Sequence, residues 1–343
     1  MAESTTAAAA AAEQPAFTPL PRRTVTLANP STNTTITASY AASFPGDKPD
    51  PAKPTIVFFH SFTSDSSLFA PQFADPRLKD SYNLIAVDLL GHGGTRIYAS
   101  SEGVEDETER ERLQRDQWTY WDSAWMTVGL VRELGVKKFF VGGTSQGGWV
   151  AVRVALVAPE MVLGVVPMGT SIDHESPRSM ELGCWDGRAV AFGGPIAFTT
   201  SATATPDFAP PDQYCDYLLS VGIGAARLSP EASRYWTARI KQNYAGDAGR
   251  RRMRTAAVNL AERDGLGARV EEVRCPVLWL HGDKDEVYSV RNAEEGIKAF
   301  GGGEEKKLVV VKEGSHFLSA SNFGEVNGLI DEFVKKWWKG AEA

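Results

Sequence analysis

The chain has 343 residues, 43% of them hydrophobic, and a formal net charge of -7, enough apolar material to bury a sizeable core as one large or two smaller units. The acidic balance argues against nucleic acid as a partner, since the run Arg250-Arg251-Arg252 is the one basic cluster above an ordinary solvated face. Three scattered cysteines, Cys184, Cys215 and Cys275, give neither a disulfide framework nor a C-x-x-C metal spacing, and no segment approaches the ~20 apolar residues of a membrane span. Residues 1–22 include a six-alanine run, Ala7 to Ala12, without the basic start and apolar stretch of a secretory signal. They read as a disordered tail, and a cytoplasmic location is the expectation.

Thr24 to Leu27 and Thr34 to Ser39 alternate with a period of two around Asn29-Pro30-Ser31, which predicts an opening hairpin. From Thr55 onward, continuous apolar strands alternate with helices: Ile56 to Phe59, Leu84 to Val87, Phe139 to Val141, Val162 to Val166, Val277 to Leu280 and Leu308 to Val311. Strands apolar on both sides imply a largely parallel sheet covered on both faces. The acidic stretch Glu102 to Glu111 has no apolar periodicity and reads as a solvated loop or exposed helix start. Trp118, Trp121, Trp125, Val128, Val131 and Leu134 recur every three or four residues, predicting a helix whose tryptophans pack the core. Between the strands at 162–166 and 277–280, residues 171–262 break the alternation.

The chemistry-bearing pattern begins at Gly143-Thr144-Ser145-Gln146-Gly147, after one apolar run and before a helical one. A serine at a sharp strand-to-helix turn adopts strained backbone angles, and small residues two before and two after it relieve the crowding. Downstream, one strand ends in His281-Gly282-Asp283-Lys284-Asp285 and the next in Glu313-Gly314-Ser315-His316-Phe317. A serine hydroxyl needs a base to take its proton and fixed dipoles to stabilise an oxyanion. Of the histidines after Ser145, His281 sits at a strand end and His174 near residue 171, which leaves His316 as the candidate base. Upstream lie His60-Ser61-Phe62 and the turn Asp88-Leu89-Leu90-Gly91-His92-Gly93-Gly94-Thr95.

Together, in the order Ser, Asp, His, these motifs resemble the α/β-hydrolase superfamily over roughly residues 24 to 338. The resemblance implies a mostly parallel, eight-stranded α/β-hydrolase sheet flanked by helices, with core segments 23–170 and 263–340 and a mainly helical cap at 171–262. It implies a catalytic Ser145, Asp285 and His316, with backbone amides of Phe62 and Gln146 as the oxyanion hole. Asp285 fits the family's G-x-x-D spacing after Gly282, with Asp283 as a loop-structuring residue; some members place the acid where Asp173 stands. Ser61 occupies a position usually held by Gly, where a positive φ would strain it. His60 and His92 match loop positions that brace the site, and Asp65, Ser66 and Ser67 read as a helix cap.

The implied activity is hydrolysis of a small-molecule carboxylic ester, lactone or thioester through an acyl-enzyme. A serine at the elbow points away from the dehalogenase and epoxide-hydrolase branches, which carry aspartate there. Acyl transfer, C-C bond hydrolysis and non-catalytic ligand reception remain alternatives on the same scaffold. No cofactor or metal is implied, and the oligomeric state stays open. Trp185, Phe192, Phe198, Phe208, Tyr214, Tyr217, Tyr235 and Trp236 supply aromatic surface to the inserted segment, either as packing or as the wall of an apolar pocket.

Overall fold

The computed structural model describes residues 18–29, 34–99, 114–302 and 305–340. The opening hairpin forms from β1 (Arg23–Asn29) and β2 (Thr34–Ala42), antiparallel with Arg23 opposite Tyr40. The apolar runs become β3 (Thr55–Phe59), β4 (Asn83–Val87), β7 (Phe139–Thr144), β8 (Val162–Met168), β9 (Val277–Gly282) and β10 (Lys306–Val311). Two short strands absent from the eight-strand expectation complete the sheet: β5 (Arg96–Ala99) and β6 (Gln114–Arg115), which carry no continuous apolar run. Among the described residues ten strands form one sheet, ordered β10-β9-β8-β7-β3-β4-β2-β5-β6, with β1 on β2. The block from β4 through β3, β7, β8 and β9 to β10 is parallel.

Alternation along β3 divides the core. Val57 and Phe59 enter one layer with Trp149 and Trp279, while Ile56 and Phe58 enter the other with Phe140 and Phe333. Strands fed from both faces in this way must be apolar throughout, as their sequences are. Among the described residues no helix is long and apolar enough to cross a membrane, and the cysteines are free.

The helix Tyr120–Glu133 starts at a capping box made by Thr119 and Asp122. Its tryptophan periodicity misleads. The buried arc is centred on Thr127 and Val131, and Trp125 lies two residues from Thr127, about 200° round the helix, so it is 55% exposed. Trp121 is half-buried and donates its indole N–H to Asp264, while Trp118, before the helix, is buried.

Leu20 and Arg22, expected in the tail, pack on the core. The Leu20 amide donates to Ser67 Oγ, and Arg22 pairs with Asp65 and Asp88, both carboxylates being fully buried, at 3.0 Å each. Residues 1–17 and the acidic stretch Glu102 to Glu111 lie outside the described residues.

Between β8 and β9 run six α-helices, Pro177–Glu181, Gly187–Gly193, Pro195–Thr199, Asp212–Ile223, Pro230–Asn243 and Gly246–Glu262, and then one 3-10 turn, Val270–Glu272. The arginine cluster falls in the last of these α-helices, with Arg250 and Arg252 buried and bonded to backbone carbonyls of Thr199 and Asn243. The two ends of the segment are joined by Arg263 and Glu175, a buried pair at 2.6 Å.

Candidate active site

β7 turns into the helix Gln146–Val157 at Ser145, whose backbone has φ 56° and ψ -119°. Two bonds fix this turn: the Ser145 amide donates to the Met168 carbonyl, and Thr170 Oγ1 donates to the Ser145 carbonyl. Gly147 is required by a close approach, because a Cβ there would stand 1.9 Å from the Phe59 carbonyl oxygen. The hydroxyl of Ser145 is thereby aimed at the loop that follows β10.

His316 Nε2 lies 2.9 Å from Ser145 Oγ, and His316 Nδ1 lies 2.9 and 3.1 Å from the two oxygens of Asp285. Asp285 Oδ1 also accepts the amides of Val287 and Tyr288. Burial pushes the Asp285 carboxyl up, but His316 and these hydrogen bonds outweigh it and hold the group below the usual carboxylate range. The acid and histidine loops are packed back to back: Lys284 and Asp283 donate to the carbonyls of Gly314 and Val311, and a Cβ on Gly282 would meet the Gly314 carbonyl oxygen. Proton acceptance at Nε2, with Nδ1–H held on a carboxylate, is the electrostatic arrangement that lets a hydroxyl act as a nucleophile.

Asp173 does not join this row. Its Oδ1 accepts from its neighbour His174, which is exposed, and its carbonyl accepts from Arg263. Asp283 is exposed. His281 is buried directly behind the acid, 3.7 Å from Asp285 Oδ2, and donates Nε2–H to the Tyr288 carbonyl.

On the opposite side of Ser145, Ser61 and Phe62 line the same cavity as Ser145 and His316. Gln146 is the first residue of its helix, so its N–H has no acceptor one turn back. Ser61 has no positive φ and so carries none of the strain such an angle would impose; the residue with positive φ in this loop is Thr63, at 52°. Its hydroxyl hydrogen-bonds that of Tyr214 at 2.9 Å.

The loop is braced from below. His60 Nε2 accepts the Leu89 amide, which leaves Nδ1–H to donate to the Ser61 carbonyl. His92 donates from Nδ1 to the Leu90 carbonyl and accepts at Nε2 from the side-chain Nε2–H of Gln146. Burial drives His60 down and takes His92 to about 3, so both are neutral at pH 7. Asp88 accepts from the amides of Ser66 and Gly94 and from Ser39 Oγ, and Gly93 is needed because a Cβ there would strike that carboxylate. Asp65 caps the short helix Ser66–Phe69, accepting from the Ser67 amide. Burial favours the neutral acid, yet Arg239 and Arg22 hold Asp65 below its ordinary value.

The void beside Ser145 is about 40 Å³, room for about three waters. Trp185, Tyr214 and Tyr217 contribute to its wall, together with Trp149, Tyr288 and Phe317. The other aromatics named from sequence pack elsewhere: Phe198 stacks on Phe208, Trp236 enters the second core layer, and Phe192 is exposed. Among the described residues no Lys, Arg, Asp or Glu side chain lines the cavity. Sequence reasoning missed Thr170, Glu175, Arg239 and Arg263, whose partners lie 25 to 174 positions away and leave no local signal. Among the described residues no group of His, Cys, Asp and Glu is placed to hold a metal ion.

A family model described as the alpha/beta hydrolase fold matches residues 54–323. Epoxide hydrolase 3 of Siraitia grosvenorii is 25% identical over 284 residues, covering 75% of this chain and 84% of that protein. An uncharacterized hydrolase, YugF, of Bacillus subtilis is 30% identical over 122 residues, 36% of this chain and 38% of its own. In structure, an esterase of Thermogutta terrifontis superposes with a TM-score of 0.68 at 20% identity, covering 92% of this chain and 98% of the other. An esterase from Rhodococcus gives 0.65 at 18% identity, with 92% and 99% coverage. The chain belongs to the α/β hydrolase fold family.

Proposed function

We propose that the protein is a serine hydrolase that cleaves a neutral, apolar carboxylic ester, lactone or thioester through an acyl-enzyme. The observation that carries this reading is the hydrogen-bonded row from Ser145 Oγ through His316 to Asp285. In the first step Ser145 Oγ attacks the substrate carbonyl carbon as His316 Nε2 takes the hydroxyl proton. The amides of Phe62 and Gln146 stabilise the oxyanion. The tetrahedral intermediate collapses, and the alcohol or thiol leaves with the proton from His316. A water then attacks the acyl carbon, giving its proton to the same nitrogen, and the acid departs as Ser145 recovers its proton.

The uncharged wall of the cavity supports an uncharged substrate, because a buried carboxylate or ammonium would find no partner there. The six α-helices between β8 and β9 serve as the lid over this cavity, since Trp185, Val190, Tyr214 and Tyr217 all come from them or from the loops that join them. The curated relatives include epoxide hydrolases, but a hydroxyl nucleophile with an adjacent base suits acyl transfer.

The test is turnover of p-nitrophenyl butyrate beside styrene oxide, with mass spectrometry of the protein after a fluorophosphonate probe. The expected result is ester turnover and an adduct on Ser145, both abolished in Ser145→Ala, with no epoxide opened. Folded protein that neither labels nor hydrolyses the ester sinks the proposal.

A further inference from the structure

The geometry points to Thr63 and Tyr214 as a positioning pair that lets the lid hold the oxyanion loop in its working shape. The inference rests on the proposed roles of Ser145 and the Phe62 amide. Three non-glycine residues among those described have positive φ: Ser145 at the elbow, Glu313 before the histidine loop, and Thr63. Thr63 is β-branched, the residue type least suited to that region. It directly follows Phe62, and its side chain is fully buried. Left to local preference, the chain would rotate φ at Thr63 to a negative value and swing the preceding Phe62 peptide away from Ser145.

What opposes this rotation comes from the lid. Tyr214, in the helix Asp212–Ile223, bonds the Thr63 hydroxyl at 2.9 Å from 151 positions away. The same loop is gripped two residues further on, where Asp65 accepts from Arg239 at 2.6 Å and from Asn243 at 2.9 Å. The helix that carries Tyr214 also reaches the other side of the site, for the Gly222 carbonyl accepts the Phe317 amide beside His316. Tyr214 therefore touches three things at once: the strained loop, the cavity wall and the lid. An opening of the lid would release Thr63 and move the Phe62 amide away from Ser145, so that the oxyanion hole is complete only while the lid is closed.

Kinetics on p-nitrophenyl butyrate with Tyr214→Phe, Thr63→Val and the double variant test the pair. Removing an oxyanion donor outright costs about 10²- to 10³-fold; displacing one is expected to lower kcat about 10- to 100-fold, with KM within about threefold. The double variant should fall no further than either single one, because both remove the same hydrogen bond. Thr63→Gly placed in the Tyr214→Phe background is the decisive variant. Glycine adopts a φ of 52° without strain, so kcat should recover at least tenfold over Tyr214→Phe alone. Tyr214→Phe with wild-type kcat, additive losses in the double variant, or no recovery on adding Thr63→Gly would each overturn the pair. Failure of the wild-type protein to turn over ester, or survival of turnover in Ser145→Ala, would instead overturn the hydrolase reading. Thermal midpoints of all variants identify any loss that reflects unfolding.

Discussion

Asp285 meets His316 with both carboxylate oxygens, while its Oδ1 also accepts the amides of Val287 and Tyr288. The two amides fix which oxygen stays on the backbone, and that makes the consequence of Asp285→Asn predictable. The new side chain must keep its carbonyl oxygen on Val287 and Tyr288, so its NH₂ faces His316 Nδ1. An acceptor at Nδ1 puts the ring proton on Nε2, where Ser145 needs a base. We expect kcat to fall by about 10⁴-fold, the loss seen when this tautomer is inverted in a serine protease, with thermal stability little changed. Asp173→Asn should stay within about twofold of wild type, since Asp173 bonds His174. Steady-state kinetics of both variants check this, and a large loss in Asp173→Asn alone would reassign the acid.

Three buried histidines make the fold sensitive to acid. His60, His92 and His281 are all pushed down by burial, and His92 to about 3. A histidine depressed in the folded state stays neutral there while the unfolded chain takes up a proton below about 6.5. Stability is thus fully present above that value and falls as pH drops toward the folded pKa. For His92 alone, lowering the pH from 7 to 5 should cost about 2 kcal/mol. Asp65 and Asp285 are also held below their ordinary values, but those values lie in the carboxylate range, so their contribution is lost only below about 4 and leaves this window untouched. Urea unfolding at pH 7 and pH 5 should show that loss shrinking by about 2 kcal/mol in His92→Gln relative to wild type. An unchanged pH dependence would mean that His92 is charged in the native state.

The sheet and the row of Ser145, His316 and Asp285 were legible because each rests on local pattern. Apolar runs such as Ile56 to Phe59 announce strands, and glycines around Ser145 announce a turn that admits nothing larger. The tryptophans were not legible, since Trp125 shares the spacing of core residues and only the helix's rotation about Thr127 turns it outward. Arg22 reads as tail because nothing local reveals that two carboxylates, 43 and 66 positions on, are buried without enough charge to balance them. The acid of the row was favoured by its spacing from Gly282, whereas Asp173 could be set aside only once the distances were known. Burial of charge is a three-dimensional property, and its partners carry no mark in the sequence.

The clasp between Glu175 and Arg263 should be worth more as a pair than either residue is alone. Both side chains are almost wholly buried, and the Arg263 guanidinium lies 3.7 Å above the Trp149 ring centroid. Arg263→Met leaves Glu175 as an uncompensated buried charge, which typically costs about 3–5 kcal/mol. Adding Glu175→Met removes that charge, and the double variant should regain more than half of the loss. Urea unfolding at pH 7 measures the cycle. A double variant less stable than Arg263→Met would show that Glu175 acts chiefly through contacts of its own, such as the hydrogen bond it accepts from the Tyr288 hydroxyl, and not as an uncompensated charge.

Tyr217 should set how long a substrate the site accepts. The void at Ser145 is about 40 Å³ and shares Val190, Pro195, Tyr214 and Tyr217 with an open apolar groove of about 490 Å³ on the outer side. These four residues form a partition between them. Tyr214 is held by Thr63, but Tyr217 is 45% exposed, and no hydrogen bond holds its side chain among the described residues. Its removal should therefore join the two spaces at least cost to the fold. Each methylene that gains burial is worth about 0.8 kcal/mol, so four of them would give about 200-fold if fully covered. A groove open to solvent covers them in part, and we expect Tyr217→Ala to raise kcat/KM for p-nitrophenyl octanoate about tenfold relative to the butyrate. Measured across C4, C8 and C12 esters, a preference curve that keeps its wild-type shape would place the acyl chain away from this wall.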